Sequence, residues 1–201
     1  LVGASDDDGL YEAVVFEHYV ARKRPLSLGS SNSDRVAVIT AEGTILPGEQ
    51  PPGSIGGDSL ARLIRGAVEA EGVKAIVLRI NSGGGSMFAS EIIREQVVYA
   101  RNMGLPVVAS MGAVAASGGY YIAADADEIW ATPSTITGSI GVFAAFPTFE
   151  ELLQRVGIYT DGVGTTDLAG SMRADRPLNP QLEAALTSGV AFAYKSFVQI
   201  V

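Results

Sequence analysis

The chain has 201 residues, 47% of them hydrophobic and 18% charged, with a formal net charge of −8. Such a chain suits one α/β domain with a real core and excludes disorder. It has no cysteine, which rules out disulfides, thiolate metal sites and a cysteine nucleophile, and its acidic balance argues against nucleic acid as the main partner.

Residues 1–34 differ from the rest. Asp6-Asp7-Asp8-Gly9 reads as a solvated turn, and Val14-Val15-Phe16 as a short strand. Arg22-Lys23-Arg24-Pro25 and the serines that follow read as a linker. The only histidine, His18, falls in this segment.

From Arg35 the pattern becomes βαβα, so that 35–201 reads as one domain. Val36–Ile39 predicts a strand and Pro47–Gly57 a Gly/Pro loop. Asp58 can cap a helix whose apolar stripe is Leu60, Leu63, Ile64, Ala67 and Val68. Ala75–Ile80 is a continuous apolar run, the pattern of a strand buried on both faces. A glycine loop follows, then a helix bearing Ile92, Ile93, Val97 and Val98, then a strand at 106–111. A further strand is expected at 128–131, a short helix at 149–156, and a last helix from Asn179. Alternating elements imply a mainly parallel sheet with βαβ units flanked by helices, and such sheets carry their sites beyond the strand C-termini. The apolar residues 197–201 close the chain inside a helical pattern, from which a longer protein is expected. No apolar run reaches the ~18 residues that span a bilayer, and no signal-peptide pattern is seen.

Two loops sit at strand ends. Asn81-Ser82-Gly83-Gly84-Gly85-Ser86 presents bare backbone amides. Its spacing fits neither phosphate-binding glycine motif, which leaves an oxyanion hole or a tight turn that needs positive φ. Met111 to Gly119 holds one hydroxyl, Ser117, among small residues. Ser117 is either a helix N-cap or a nucleophile placed at a helix start. The GxSxG elbow is absent, because Ala115 stands two residues before it. Glu91, Asp125 and Asp127 read as solvated or capping carboxylates.

Three segments together carry a resemblance: Arg79 to Ser86, Met111-Gly112 through Ala115-Ala116-Ser117-Gly118-Gly119-Tyr120-Tyr121-Ile122-Ala123, and Thr137-Gly138-Ser139-Ile140-Gly141-Val142. In order and spacing they resemble the signal peptide peptidase A family of S49 serine proteases. The likeness runs from about Arg35 to the end, and within the family it is to the C-terminal repeat of the long, duplicated members. It implies a ClpP/crotonase-like fold and a Ser-Lys dyad. Ser117 would be the nucleophile, the backbone N–H groups of Gly84 and Gly118 the oxyanion donors, and Ser139 a support for the base lysine. Two departures stand out: Gly83 takes a usual proline position, and Thr165–Gly170 lacks the lysine of short members. The base is therefore expected from a preceding repeat, since the chain's only lysines are Lys23 in the linker, Lys74 at the far end of a strand and Lys195 on a helix surface. The resemblance further implies remnant signal peptides as substrates, no cofactor or metal, and a homo-oligomer, with four duplicated chains expected. It implies membrane anchoring through another segment, on the extracytoplasmic side of a bacterial inner membrane. A crotonase-like acyl-CoA enzyme, a Clp-type protease and a non-catalytic assembly module are the alternatives. The Clp type would want a His after Ser117, and none follows.

Overall fold

The structure, a computed structural model, describes residues 33–201. His18 and Lys23, and the turn, strand and linker expected before residue 33, lie outside the described residues.

Strand β1 (Arg35–Glu42) is followed by short strands β2 (Thr44–Leu46) and β3 (Ser54–Gly56), helix α1 (Gly57–Glu69) and strand β4 (Val73–Ser82). Helix α2 (Met87–Asn102), strand β5 (Val107–Ala116) and the one-turn helix α3 (Gly118–Tyr121) come next. Strands β6 (Glu128–Trp130) and β7 (Ile136–Gly138) and helices α4 (Glu150–Arg155) and α5 (Pro180–Ile200) complete the order. The main sheet runs β1-β4-β5-β6, with β7 also on β5, and every pair in it is parallel. This is the mainly parallel α/β architecture that the alternating pattern predicts.

The core lies on one side of this sheet. Ile39 and Ala41 of β1, Ile76, Leu78 and Ile80 of β4, and Val107, Ala109 and Met111 of β5 point there, as period-two alternation requires. Leu60 and Ile64 of α1 and Ala89, Ile93, Val97 and Ala100 of α2 meet them. The chain steps across the sheet in one direction, so right-handed crossovers put both helices on the same face. The opposite face stays open among the described residues: Val36 is 57% and Val38 67% exposed. The apolar run of β4 is thus not buried equally on both faces, because no described helix covers its second side.

Other details also differ from the sequence pattern. Leu63 is 58% exposed, since the buried stripe of α1 is narrower than its apolar one. Asp58 lies inside the first turn of α1; Gly56 is the N-cap and no side chain caps it. The Gly/Pro loop contains β3, which pairs in parallel with β2.

β5 carries the feature that shapes the site. Between Ile80 and Ser82 of β4 the register advances two residues, while on β5 it advances four, from Met111 to Ala115. The extra residues bulge, and the Val114 N–H is taken up by Asn81 Oδ1 at 3.2 Å. Beyond the bulge, Val114–Ala116 pairs with β7. Ile93→Ala should cost about 2–5 kcal/mol in denaturant unfolding, whereas Val36→Ala on the open face should change it by less than about 0.5 kcal/mol.

Candidate active site

The loop after β4 is held by short polar contacts. Ser82, buried, donates its hydroxyl to Gly43 O at 2.7 Å and accepts the Gly84 N–H at 3.1 Å. Strand β2 clamps the loop from the side: Ile45 N–H donates to Gly84 O at 3.0 Å, and Ser86 N–H to Ile45 O at 2.8 Å. Gly84 has φ +97°, open to glycine and costly for other residues. A Cβ there would stand 2.6 Å from Gly118 N and 2.9 Å from Ser117 Cβ. On the facing loop, a Cβ on Gly118 would meet Ser90 Oγ at 2.6 Å, and one on Gly119 would meet Ser82 O at 2.5 Å. The two glycine loops therefore touch backbone to backbone, which answers why both lack side chains.

Ser117 stands at the corner where β5 turns into α3, with φ 51° and ψ −121°. It occupies the N-cap position, yet its side chain makes no capping bond. Its backbone is tied instead: Ser117 N–H donates to Gly138 O at 2.8 Å, and Tyr121 N–H donates to Ser117 O at 2.9 Å. A non-glycine residue at positive φ costs on the order of 1–3 kcal/mol, a strain met most often at functional corners. Ser139, just after β7, is the second such residue, with φ 52°. Helix α3 is four residues long, so its field on Ser117 comes from single amides rather than a macrodipole.

Ser117 opens on a cavity of about 520 Å³. Residues 83–87, Ser117 and Gly118, residues 141–143, and the rings of Tyr121 and Phe197 line it. Ser117, Gly84 and Gly118 thus meet at one place, while the Gly84 N–H is engaged by Ser82 Oγ. Among the described residues, no lysine lines this cavity. Lys74 is exposed at the start of β4 and 3.7 Å from Asp34, at the opposite end of the strand. Lys195 is exposed on α5. Residues 165–170 form exposed turns. Among the described residues there is no cluster of three or more His, Cys, Asp or Glu that could hold a metal.

Behind the cavity lies an ion cluster that sequence reading treats as solvated or capping carboxylates. Arg94 donates twice to Glu91, at 2.6 and 2.7 Å, and also pairs with Asp125. Tyr121 OH donates to Glu91 Oε2 at 2.6 Å. The Arg94 guanidinium holds the Glu91 carboxyl below its ordinary range, and Glu91 in turn raises Arg94. Burial, then the Glu91 contact, pushes the Tyr121 hydroxyl up to about 12. Asp127 accepts the Val107 N–H, at the start of β5, and Arg101 Nε, both at 2.8 Å; the Val107 amide is the first cause of its lowered pKa. Glu91, Arg94 and Asp125 carry no motif, and only the i, i+3 spacing of Glu91 and Arg94 on one helix could have signalled their pairing.

Residues 99–201 match the family model described as Peptidase family S49, and the chain belongs to that family. It is 42% identical over 194 residues to Protease 4 of Haemophilus influenzae, an alignment covering 96% of this chain and 31% of that protein. It is 36% identical over 170 residues to the chloroplastic serine protease SPPA of Arabidopsis thaliana, covering 82% of this chain and 25% of that one. The chain thus spans less than a third of the length of these relatives. A mutant ClpP1 from Listeria monocytogenes aligns over 44% of this chain and 46% of its own, at 19% identity and a TM-score of 0.35.

Two outcomes are expected. Gly84→Ala should lower stability by about 2 kcal/mol or more in denaturant unfolding, since both φ and the Gly118 contact oppose a methyl. Glu91 has a depressed folded-state pKa, so its contribution is present above the ordinary carboxylate range and lost as pH falls through the folded pKa. Unfolding free energies taken from neutral to acid pH should therefore fall less steeply for Glu91→Gln than for the parent.

Proposed function

We propose that this chain carries the nucleophile of a serine endopeptidase, with Ser117 attacking the scissile carbonyl of a peptide. One observation chiefly supports the reading. Ser117 occupies an N-cap position without capping, on a strained corner that opens into a cavity beside two glycine loops. In the proposed reaction a lysine amine takes the Ser117 proton and Oγ adds to the carbonyl carbon. Backbone N–H groups of Gly84 and Gly118 meet the developing oxyanion. The Gly84 amide would exchange its Ser82 Oγ partner for that oxygen. The lysine then returns the proton to the leaving amine, and water releases the acyl group from Ser117.

The base lysine would come from a segment outside the described residues, because no described lysine lines the cavity. Ser139 would support it by a hydrogen bond, from its place just after β7. Membership of the S49 family, and the names of the protease relatives, support hydrolysis of peptides. Apolar, extended peptides such as remnant signal peptides suit the cavity's aromatic wall. Assembly as a homo-oligomer, membrane attachment through another segment, and an extracytoplasmic location are part of the same reading. No described helix is long and apolar enough to cross a membrane. On its own the chain is inert in this reading, since a serine hydroxyl without a base is a weak nucleophile.

A fluorophosphonate read by intact mass tests it. Labelling should fall on Ser117 in the full-length protein and be lost in Ser117→Ala, together with peptide turnover. The 201-residue chain alone should react at least ~100-fold more slowly, the scale on which a positioned base acts. Turnover retained by Ser117→Ala would overturn the assignment; equal labelling of the chain alone would overturn the external lysine.

A further inference from the structure

Helix α5 runs for 21 residues, yet Phe197 is its single buried residue, at 2% exposure. Its neighbours Phe192, Tyr194 and Val198 are all exposed. Phe197 is not part of the main core cluster, and neither is Tyr121. The two rings meet each other instead, edge to face at 4.9 Å and 71°, and both line the Ser117 cavity. An apolar ring that is the one fully buried residue of its helix, and that lies outside the main core cluster, shapes the cavity more than it shapes the core.

Its partner residue is tied at two points. The Tyr121 N–H is bonded to Ser117 O, four residues back, so the ring is placed relative to the nucleophile by one helical turn. The Tyr121 hydroxyl is bonded to Glu91, and Glu91 is held by both prongs of Arg94, which also grips Asp125. An edge-to-face contact with a ring so anchored gives Phe197 one favoured seat. Met87 and Ser90 of α2 and the glycine loops also line the cavity. Gly84 and Gly85 cannot change size without backbone collision, so that side of the cavity is fixed, whereas the aromatic wall is a side on which its depth can vary.

We propose that Phe197 is a specificity-determining residue of the Ser117 cavity, setting the largest apolar side chain accepted next to the cleaved bond, with Glu91 acting as the positioning residue that holds Tyr121 behind it. The inference rests on the serine peptidase reading above. Truncating the ring deepens the pocket toward α5, and enlarging it shortens the pocket. Tyr121→Phe keeps the ring but frees it from Glu91, so it broadens the range of accepted side chains instead of shifting it.

The test uses full-length protein and internally quenched peptides that differ only in the residues flanking the cleaved bond, with Ala, Leu or Phe there. The readout is the ratio of kcat/KM for the Phe peptide to that for the Ala peptide, which is insensitive to the amount of active enzyme. Phe197→Ala should raise this ratio about 10-fold and Phe197→Trp should lower it by a similar factor, the scale of discrimination by size in an apolar pocket. Phe197→Leu should fall between the parent and Phe197→Ala, and it supplies the result if the alanine variant does not fold. Ratios that stay within about twofold of the parent across the series, with Ser117 still labelled by fluorophosphonate, overturn the inference and leave the peptidase reading intact. Absence of Ser117 labelling in the parent protein overturns the peptidase reading, and the inference with it.

Discussion

Two backbone segments approach each other at Gly84 and Gly118 more closely than any side chain would allow, and the site is organised around that approach. A Cβ on Gly84 would sit 2.6 Å from Gly118 N, and one on Gly119 would sit 2.5 Å from Ser82 O. Neither loop could hold such a position alone. The β4 loop is pinned by Ser82, which reaches Gly43, and by the bridge from Ile45. The β5 corner is pinned by β7, whose Gly138 carbonyl takes the Ser117 amide. Small strands that seem incidental to the sheet are what brace the loops.

The bulge in β5 connects this bracing to the fold. Up to Ile80 and Met111, strands β4 and β5 run as an ordinary parallel pair packed on α1 and α2. Past that point β5 carries two extra residues and Asn81 accepts the Val114 amide; β5 then rejoins β4 at Ser82 and Ala115 and gains β7 as a further neighbour. The space beyond the C-terminal ends of parallel strands is the usual place for a site. Here that space holds the serine corner.

Much of this was readable from residue types. Glycines and one serine at strand ends announced backbone constraint and chemistry, and Ile76, Leu78 and Ile80 announced a buried strand. Fully parallel sheets are usually covered on both faces, so the open valine face departs from that expectation. Side-chain pairings between distant elements were not readable. The Glu91–Tyr121 bond joins residues 30 apart, and Arg94–Asp125 residues 31 apart. No local pattern marks either, because each partner is an ordinary helix or turn residue until the fold brings them together. Capping failed for a related reason. Asp58 and Ser117 both looked like N-caps, but backbone geometry decides whether a hydroxyl or carboxylate can reach the free amides, and in both cases the side chain does not do so.

The light packing of α5 has a bearing on time as well as on shape. A helix of 21 residues is about 30 Å long, and in a folded protein most of a helix's stability comes from the packing of one face. Phe197 is its one fully buried residue, with Leu182, Leu186, Val190, Ala193 and Ile200 half-buried, so α5 is held by less packing than the core helices. A helix packed so lightly opens locally more readily than the core does. Local openings of this kind run in microseconds to seconds and need no unfolding of the β-sheet core. The wall that Phe197 provides is therefore renewed many times during the life of a folded molecule, while the serine corner on the braced side stays put.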